Sequence, residues 1–187
     1  MQRFPPPFFG VSHSMGGQIN LRTAVLHKGL FRSLALSAPM IGLKEHPFQL
    51  ALLKIVTSIN ELFWLGHRPL KSAATDRASG RSSYNRVTMD DRRFGRNERI
   101  VDRHPYVNIA FKSHSWSVGA VNAMQKTLRK SFLSRLDIPV FIGIAQDEKL
   151  VANQAIYKAI ALSDYIEGKL YPDTVSYTHL RAHETSE

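Results

Sequence analysis

Phe8-Phe9-Gly10-Val11-Ser12-His13-Ser14-Met15-Gly16-Gly17-Gln18-Ile19 is the stretch on which the reading of this chain turns. It opens as an apolar run of strand length and closes as the start of a segment whose Ile19, Ala24, Val25 and Leu26 recur on one helical face. Small residues around Ser14 separate the two periods, so the sequence predicts a buried strand, a sharp turn and a helix.

A serine presented by such a turn is a candidate nucleophile. Its hydroxyl reacts poorly at neutral pH unless a base stands beside it and donors wait for the oxyanion; a tight strand-to-helix turn exposes the hydroxyl and aims backbone N–H groups at the reacting carbonyl. The usual spacing is G-x-S-x-G, with small residues two before and two after the serine so that strand and helix do not collide. Here Ser12 stands at the first of these positions and Gly16 at the second, with His13 and Gly17 completing the elbow. The competing reading makes Ser12 and Ser14 ordinary helix caps.

Outward from the elbow, Gly29 is placed to end the helix, and Ser33 to Ser37 reads as a second short strand, parallel to the first. His13-Ser14-Met15-Gly16-Gly17, followed by Leu30-Phe31-Arg32-Ser33-Leu34-Ala35-Leu36-Ser37-Ala38-Pro39-Met40, resembles α/β-hydrolases of the lysophospholipase L2 and monoacylglycerol-lipase group. Val87-Thr88-Met89-Asp90-Asp91-Arg92-Arg93-Phe94-Gly95-Arg96-Asn97 is similar to the threonine, arginine, aromatic, arginine, asparagine run of the bacterial branch, and Ser113-His114-Ser115-Trp116 stands where that branch carries Thr-x-x-Trp. The likeness runs from about Phe8 to about Pro172.

The resemblance implies α/β class: a partial α/β-hydrolase fold, a parallel sheet with a helical cap insertion, truncated at both ends. It divides the chain into residues 1–43, the nucleophile-elbow part of the core; 44–136, the cap; 137–173, the later part of the core; and 174–187, a non-native tail. Met15 N–H would be one oxyanion donor, and Trp116 and Phe94 are candidate substrate-pocket residues, although aromatic residues at such positions more often serve packing. The substrate would be a lipid ester, a lysophospholipid or a monoacylglycerol, with no metal or organic cofactor. Localisation would be cytoplasmic or peripheral at the inner face of the membrane.

Beyond the cap the sheet resumes at Ile138-Pro139-Val140-Phe141-Ile142-Gly143-Ile144, and Asp147 and Glu148 follow at once. A carboxylate there orients the base histidine and stabilises the imidazolium formed during attack. Matching Leu150-Val151 to the family's apolar pair puts Glu148 at the acid, with Asp147 the alternative. A helix over Asn153 to Leu162 and a strand over Lys169 to Tyr171 complete the reading, as helices over His46 to Leu65 and Ser115 to Leu128 do for the cap.

In this fold the histidine follows the last strand. Instead, Val175 to Thr185 reads as the translation of a transposase-type sequencing-library adapter, and its His183-Glu184 only imitates the expected pair. His179 and His183, two ligands without a third, make a poor metal site. The 187-residue polypeptide alone is therefore expected to have little or no esterase activity.

Composition sets the outer bounds. A chain with 43% hydrophobic and 21% charged residues is globular rather than disordered, and without cysteine it has neither disulfides nor thiolate metal sites. Much of the formal charge of +10 sits between Arg68 and Lys112, through Arg77, Arg81, Arg86, Arg92, Arg93, Arg96, Arg99 and Arg103, interleaved with fewer acids. A solvated charged face is the plain account. The functional ones are an anionic membrane surface, at about 1 kcal/mol per basic residue, or a non-catalytic basic module for membranes or nucleic acid. Aromatic residues are not interleaved there as stacking platforms, so no nucleic-acid partner is expected.

Overall fold

The computed structural model describes residues 4–44, 47–67, 95–96, 99–100, 102–104, 106 and 113–172. In chain order its elements are β1 (Phe8–His13), α1 (Met15–Leu26), β2 (Phe31–Ser37), α2 (Pro47–Leu62), α3 (His114–Thr127), α4 (Lys130–Leu133), β3 (Val140–Ala145), α5 (Asn153–Ala161) and β4 (Ile166–Tyr171). The chain forms two compact units, residues 1–44 with 123–187 and residues 45–122.

The first unit is a four-stranded sheet in the order β1-β2-β3-β4, parallel throughout. A parallel pair needs a crossover, and α1 supplies it between β1 and β2. Register places Leu34 beside Val140 and Leu36 beside Ile142 on one face of the sheet, and there α1 packs on β1 and β2 while α5 packs on β3 and β4. Leu21, Leu36, Ile142, Ile144 and Ile156 are nearly or fully sealed in this layer, each worth about 1.5–3 kcal/mol relative to exposure. Arg22 ties α1 to the end of α3, donating to the Ala123 carbonyl and Thr127 Oγ1 at 3.3 Å each and lying 5.0 Å from the Phe132 ring centre.

Two expectations change. β1 is an edge strand rather than a buried one: Phe9 and Val11 are 76% and 80% exposed, because the face opposite α1 is uncovered at that edge. The inward face of α1 is Gly17, Gln18, Leu21, Ala24 and Val25, whereas Ile19 and Leu26 face outward. Close approach of the helix to the chain after β2 sets that rotation, bringing the glycine rather than the isoleucine inward. Gly29 leaves the helix at φ +77°, a conformation that favours glycine.

In the second unit α2 puts Thr57 inward, completely buried, with its hydroxyl donating to the Lys54 carbonyl at 3.0 Å. Ser113 caps α3: its Oγ accepts the Trp116 N–H at 3.1 Å, the bond that Ser-x-x-Trp spacing makes possible. No helix among the described residues is long and apolar enough to cross a membrane.

Candidate active site

Ser14 sits between β1 and α1 at φ 50°, ψ −118°, a backbone state that costs a serine about 1–3 kcal/mol and persists only where the surroundings enforce it. They do so from two sides. Ser14 N–H donates to the Ser37 carbonyl at 3.0 Å, and the Ser14 carbonyl accepts from Met40 N–H at 2.8 Å. The Ser14 side chain makes no capping bond to α1. Ser12 Oγ instead accepts from Asn20 Nδ2 at 3.1 Å, joining strand to helix. Met15, as the first residue of α1, has an N–H without an intrahelical acceptor.

The tight approach in the elbow lies one residue later than the motif suggests. A Cβ on Gly16 would meet Ser12 Cβ at 3.5 Å, ordinary contact, whereas one on Gly17 would meet Pro39 Cβ at 2.8 Å and Pro39 Cα at 3.1 Å. Ser12 is therefore compatible with Gly16, and Gly17 is the position that admits no side chain. Ala38, just before that proline, also has positive φ, 40°, and its N–H donates to the Gly143 carbonyl at 2.9 Å.

The carboxylates lie beyond β3, at the same end of the sheet as Ser14, since register sets His13 beside Ser37 and Ser37 beside Gly143. Glu148 is 1% exposed, and its Oε1 accepts the N–H groups of Leu150 at 2.8 Å and Val151 at 3.2 Å. Asp147 is exposed. The chain leaving β2 holds this acid loop. Ala152 N–H donates to the Gly42 carbonyl and Lys44 N–H to the Leu150 carbonyl, at 3.0 Å each; Leu43 and Val151 form an antiparallel bridge, and Lys44 Nζ donates to the Glu148 carbonyl. One short segment, Met40 to Lys44, thus grips both the elbow and the loop of Glu148.

His13 joins them. Its Nδ1 lies 3.3 Å from Ser37 Oγ, and burial holds the imidazole pKa below its ordinary value, while a hydrogen bond to the Ser37 backbone and the Glu148 charge pull the other way. The sequence places His13 in the elbow without a partner of its own and does not single out Ser37 or Lys44. Their positions at strand ends were a signal, but their partners lie across the sheet. Trp116, 39% exposed, begins α3 in the unit of residues 45–122. Phe94, most of the Val87–Asn97 run, Arg77 to Arg93, and the tail with His179 and His183 lie outside the described residues; Arg96, Arg99 and Arg103 are exposed.

A parallel sheet whose first strand enters a helix through a strained serine is the core of an α/β-hydrolase, and solved structures agree. A monoglyceride lipase from Saccharomyces cerevisiae superposes with a TM-score of 0.63 at 22% identity, over 91% of this chain and 54% of its own. A carboxyl esterase from Bacillus coagulans gives 0.59 at 14%, over 93% and 57%. The monoacylglycerol lipase of Paleococcus ferrophilus gives 0.58 at 15%, over 90% and 59%. This chain therefore spans a little over half the length of each of these proteins. The family model described as serine aminopeptidase, S33, matches residues 2–174, and the chain belongs to that family of α/β-hydrolases. A comparison with curated proteins gave no match.

Proposed function

We propose that this chain carries the nucleophile and acid of a carboxylic ester hydrolase, with Ser14 and Glu148 in those roles. The observation that carries the proposal is the Ser14 backbone, held at positive φ with its hydroxyl unused as a cap. Such strain has no purpose in a capping serine and is expected of an elbow. Ser14 Oγ would attack the ester carbonyl and pass its proton to a base histidine; Met15 N–H would donate to the oxyanion, and the alcohol would leave on taking up that proton. Water would then cleave the acyl-serine, releasing the carboxylic acid and restoring the hydroxyl.

Glu148 is preferred to Asp147 because its carboxylate is buried and fixed by two backbone donors, as an orienting acid must be, while Asp147 is exposed. We assign a monoacylglycerol or lysophospholipid as substrate from the sequence resemblance, with two lipase neighbours in support. By the same resemblance residues 44–136 would be the cap, with Trp116 and Phe94 candidate pocket residues. No residue is assigned as the base, so the 187-residue chain is expected to hydrolyse little or nothing.

The test measures p-nitrophenyl butyrate hydrolysis and fluorophosphonate labelling, with Ser14→Ala beside the parent, in this chain and in a longer chain that supplies the base histidine. The longer chain is expected to label at Ser14 and to turn over, both lost in Ser14→Ala. Labelling elsewhere, or turnover indifferent to Ser14, would overturn the assignment. Because the family takes its description from aminopeptidases, aminoacyl p-nitroanilides form the second arm. Faster cleavage of these would move the reading from esters to amides.

A further inference from the structure

β4 ends the sheet with an open edge whose pattern is its own complement. Among the described residues this strand pairs with β3 alone. The Tyr165 and Tyr171 carbonyls accept from Val140 and Gln146 N–H at 2.8 and 3.1 Å, so the odd-numbered residues of β4 turn their backbone groups toward β3. Ile166, Gly168 and Leu170 therefore turn theirs outward. Ile166 N–H is taken by the Ser163 carbonyl at 3.2 Å, which leaves the Gly168 and Leu170 N–H groups on the edge. Gly168 is exposed although a Cβ there would meet Ile160 Cδ1 at 2.5 Å, so the part that water reaches is its backbone.

Along the strand Ile166-Glu167-Gly168-Lys169-Leu170 reads apolar, acidic, glycine, basic, apolar. Reversing it exchanges the two charges and keeps everything else. Two such strands laid antiparallel about a two-fold axis at Gly168 set Glu167 against Lys169 of the second copy, and Lys169 against its Glu167. Both are exposed, and register puts both on the sheet face that carries Phe141, where Lys169 Nζ lies 5.5 Å from the Tyr171 ring centre. Because their backbone groups are used by β3, these are the non-hydrogen-bonded pairs, in which facing Cα atoms come closest, about 4.5 Å. Gly168 meets Gly168 in a hydrogen-bonded pair, and Leu170 N–H meets the Ile166 carbonyl.

Charges deter edge pairing where like meets like; here the two-fold brings unlike together. β1, at the other end of the sheet, offers Phe9 and Val11 but no charge to fix a register. From the outward backbone of Gly168 and Leu170 and the self-complementary charges of Glu167 and Lys169, we propose that this chain forms a two-fold dimer through β4, so that the four-stranded sheets of two copies run on as one. The proposal stands independently of the catalytic assignment.

The test is sedimentation equilibrium of the 187-residue chain over a concentration series, with hydrogen exchange of the backbone amides. A monomer–dimer equilibrium is expected, and the Gly168 and Leu170 amides should exchange more slowly as the dimer fills. Lys169→Glu and Glu167→Lys each set like charges opposite one another and should weaken dimerisation about tenfold, with circular dichroism unchanged. Combined, the two substitutions reverse the pattern without spoiling it and should restore the dimer of the parent. Leu170→Pro removes an outward N–H while sparing the bonds to β3, and should abolish the dimer. Phe9→Ser and Val11→Ser, at the β1 edge, should leave it unchanged.

Four results would overturn the proposal: a monomer at every concentration; a dimer indifferent to the single charge reversals; a double reversal as weak as the single ones; or a dimer lost through the β1 variants and kept in the β4 variants.

Discussion

In the unit built on the sheet, Leu36, Ile142 and Ile144 are no more than 2% exposed, and polar groups that go inside are held, as Glu148 is by two backbone donors. In the unit of residues 45–122, α2 turns Thr57 inward and leaves Ile59 at 52% and Leu62 at 76% exposed. Both segments are apolar at regular spacing, so the difference lies in what the spacing is aimed at. The sheet offers a second layer against which side chains seal, and among the described residues the outward face of α2 meets no such layer. An aliphatic residue such as Ile142 therefore holds the fold together in the first unit, whereas one such as Ile59 adds little to it in the second.

Paired substitutions can break this contrast, and the largest effect is expected where it is sharpest. Ile142→Ala removes a fully buried side chain between two strands and should cost about 2–5 kcal/mol in chemical denaturation. Ile59→Ala should stay within about 0.5 kcal/mol, as surface changes do. A comparable loss from Ile59→Ala would mean that the face of α2 is sealed after all.

The next pair asks whether the acid loop is built around one carboxylate. Glu148→Ala leaves the Leu150 and Val151 N–H groups without their acceptor, and an orphaned buried donor costs about 1–3 kcal/mol. Asp147→Ala, at an exposed position, should be nearly silent. Equal losses would remove the structural ground for preferring Glu148.

At the elbow the pair is Gly17 and Gly16. Gly17→Ala drives a methyl against Pro39 and should cost about 1–3 kcal/mol; Gly16→Ala places one at ordinary contact distance from Ser12 and should be neutral or mildly stabilising through helix propensity. The reverse order would return the tight approach to the position the motif names.

These pairs also mark where the sequence could be read and where it could not. The parallel strands, α1 and the elbow were legible because an apolar run, a small-residue turn and a helical period stand within a few residues of one another. β1 was nonetheless read as buried, because an apolar run does not reveal that its strand stands at a sheet edge. Ile19 and Leu26 were expected on the inward face of α1; the rotation of that helix is set by contact with Pro39, which lies beyond β2 in sequence. The apolar spacing of α2 was plain, yet spacing cannot say which side is covered. The four-residue α4 carries too few residues for any period, and the last strand was found only from Lys169 because Glu167 and Gly168 interrupt its pattern. Glu148 was preferred to Asp147 from sequence, but the hold of Lys44 on its loop links positions about a hundred residues apart.

The smallest effect expected is also the one that tests whether His13 belongs to the site. Burial depresses its pKa below the ordinary 6.5, against the opposing pull of Ser37 and Glu148, so the folded chain binds a proton there less readily than the unfolded chain. The stabilisation is thus present above about pH 6.5 and declines as pH falls from 6.5 through the lower folded pKa, where His13 must charge within the fold. Urea midpoints measured between about pH 7.5 and 5 should fall for the parent chain. They should fall less for His13→Asn, which cannot take up a proton and keeps a polar group within reach of Ser37. Carboxylates that titrate lower down are common to both chains, so the difference between the two slopes isolates the imidazole. Parallel slopes would show that His13 reaches water when folded and would detach it from the elbow, Ser37 and Glu148.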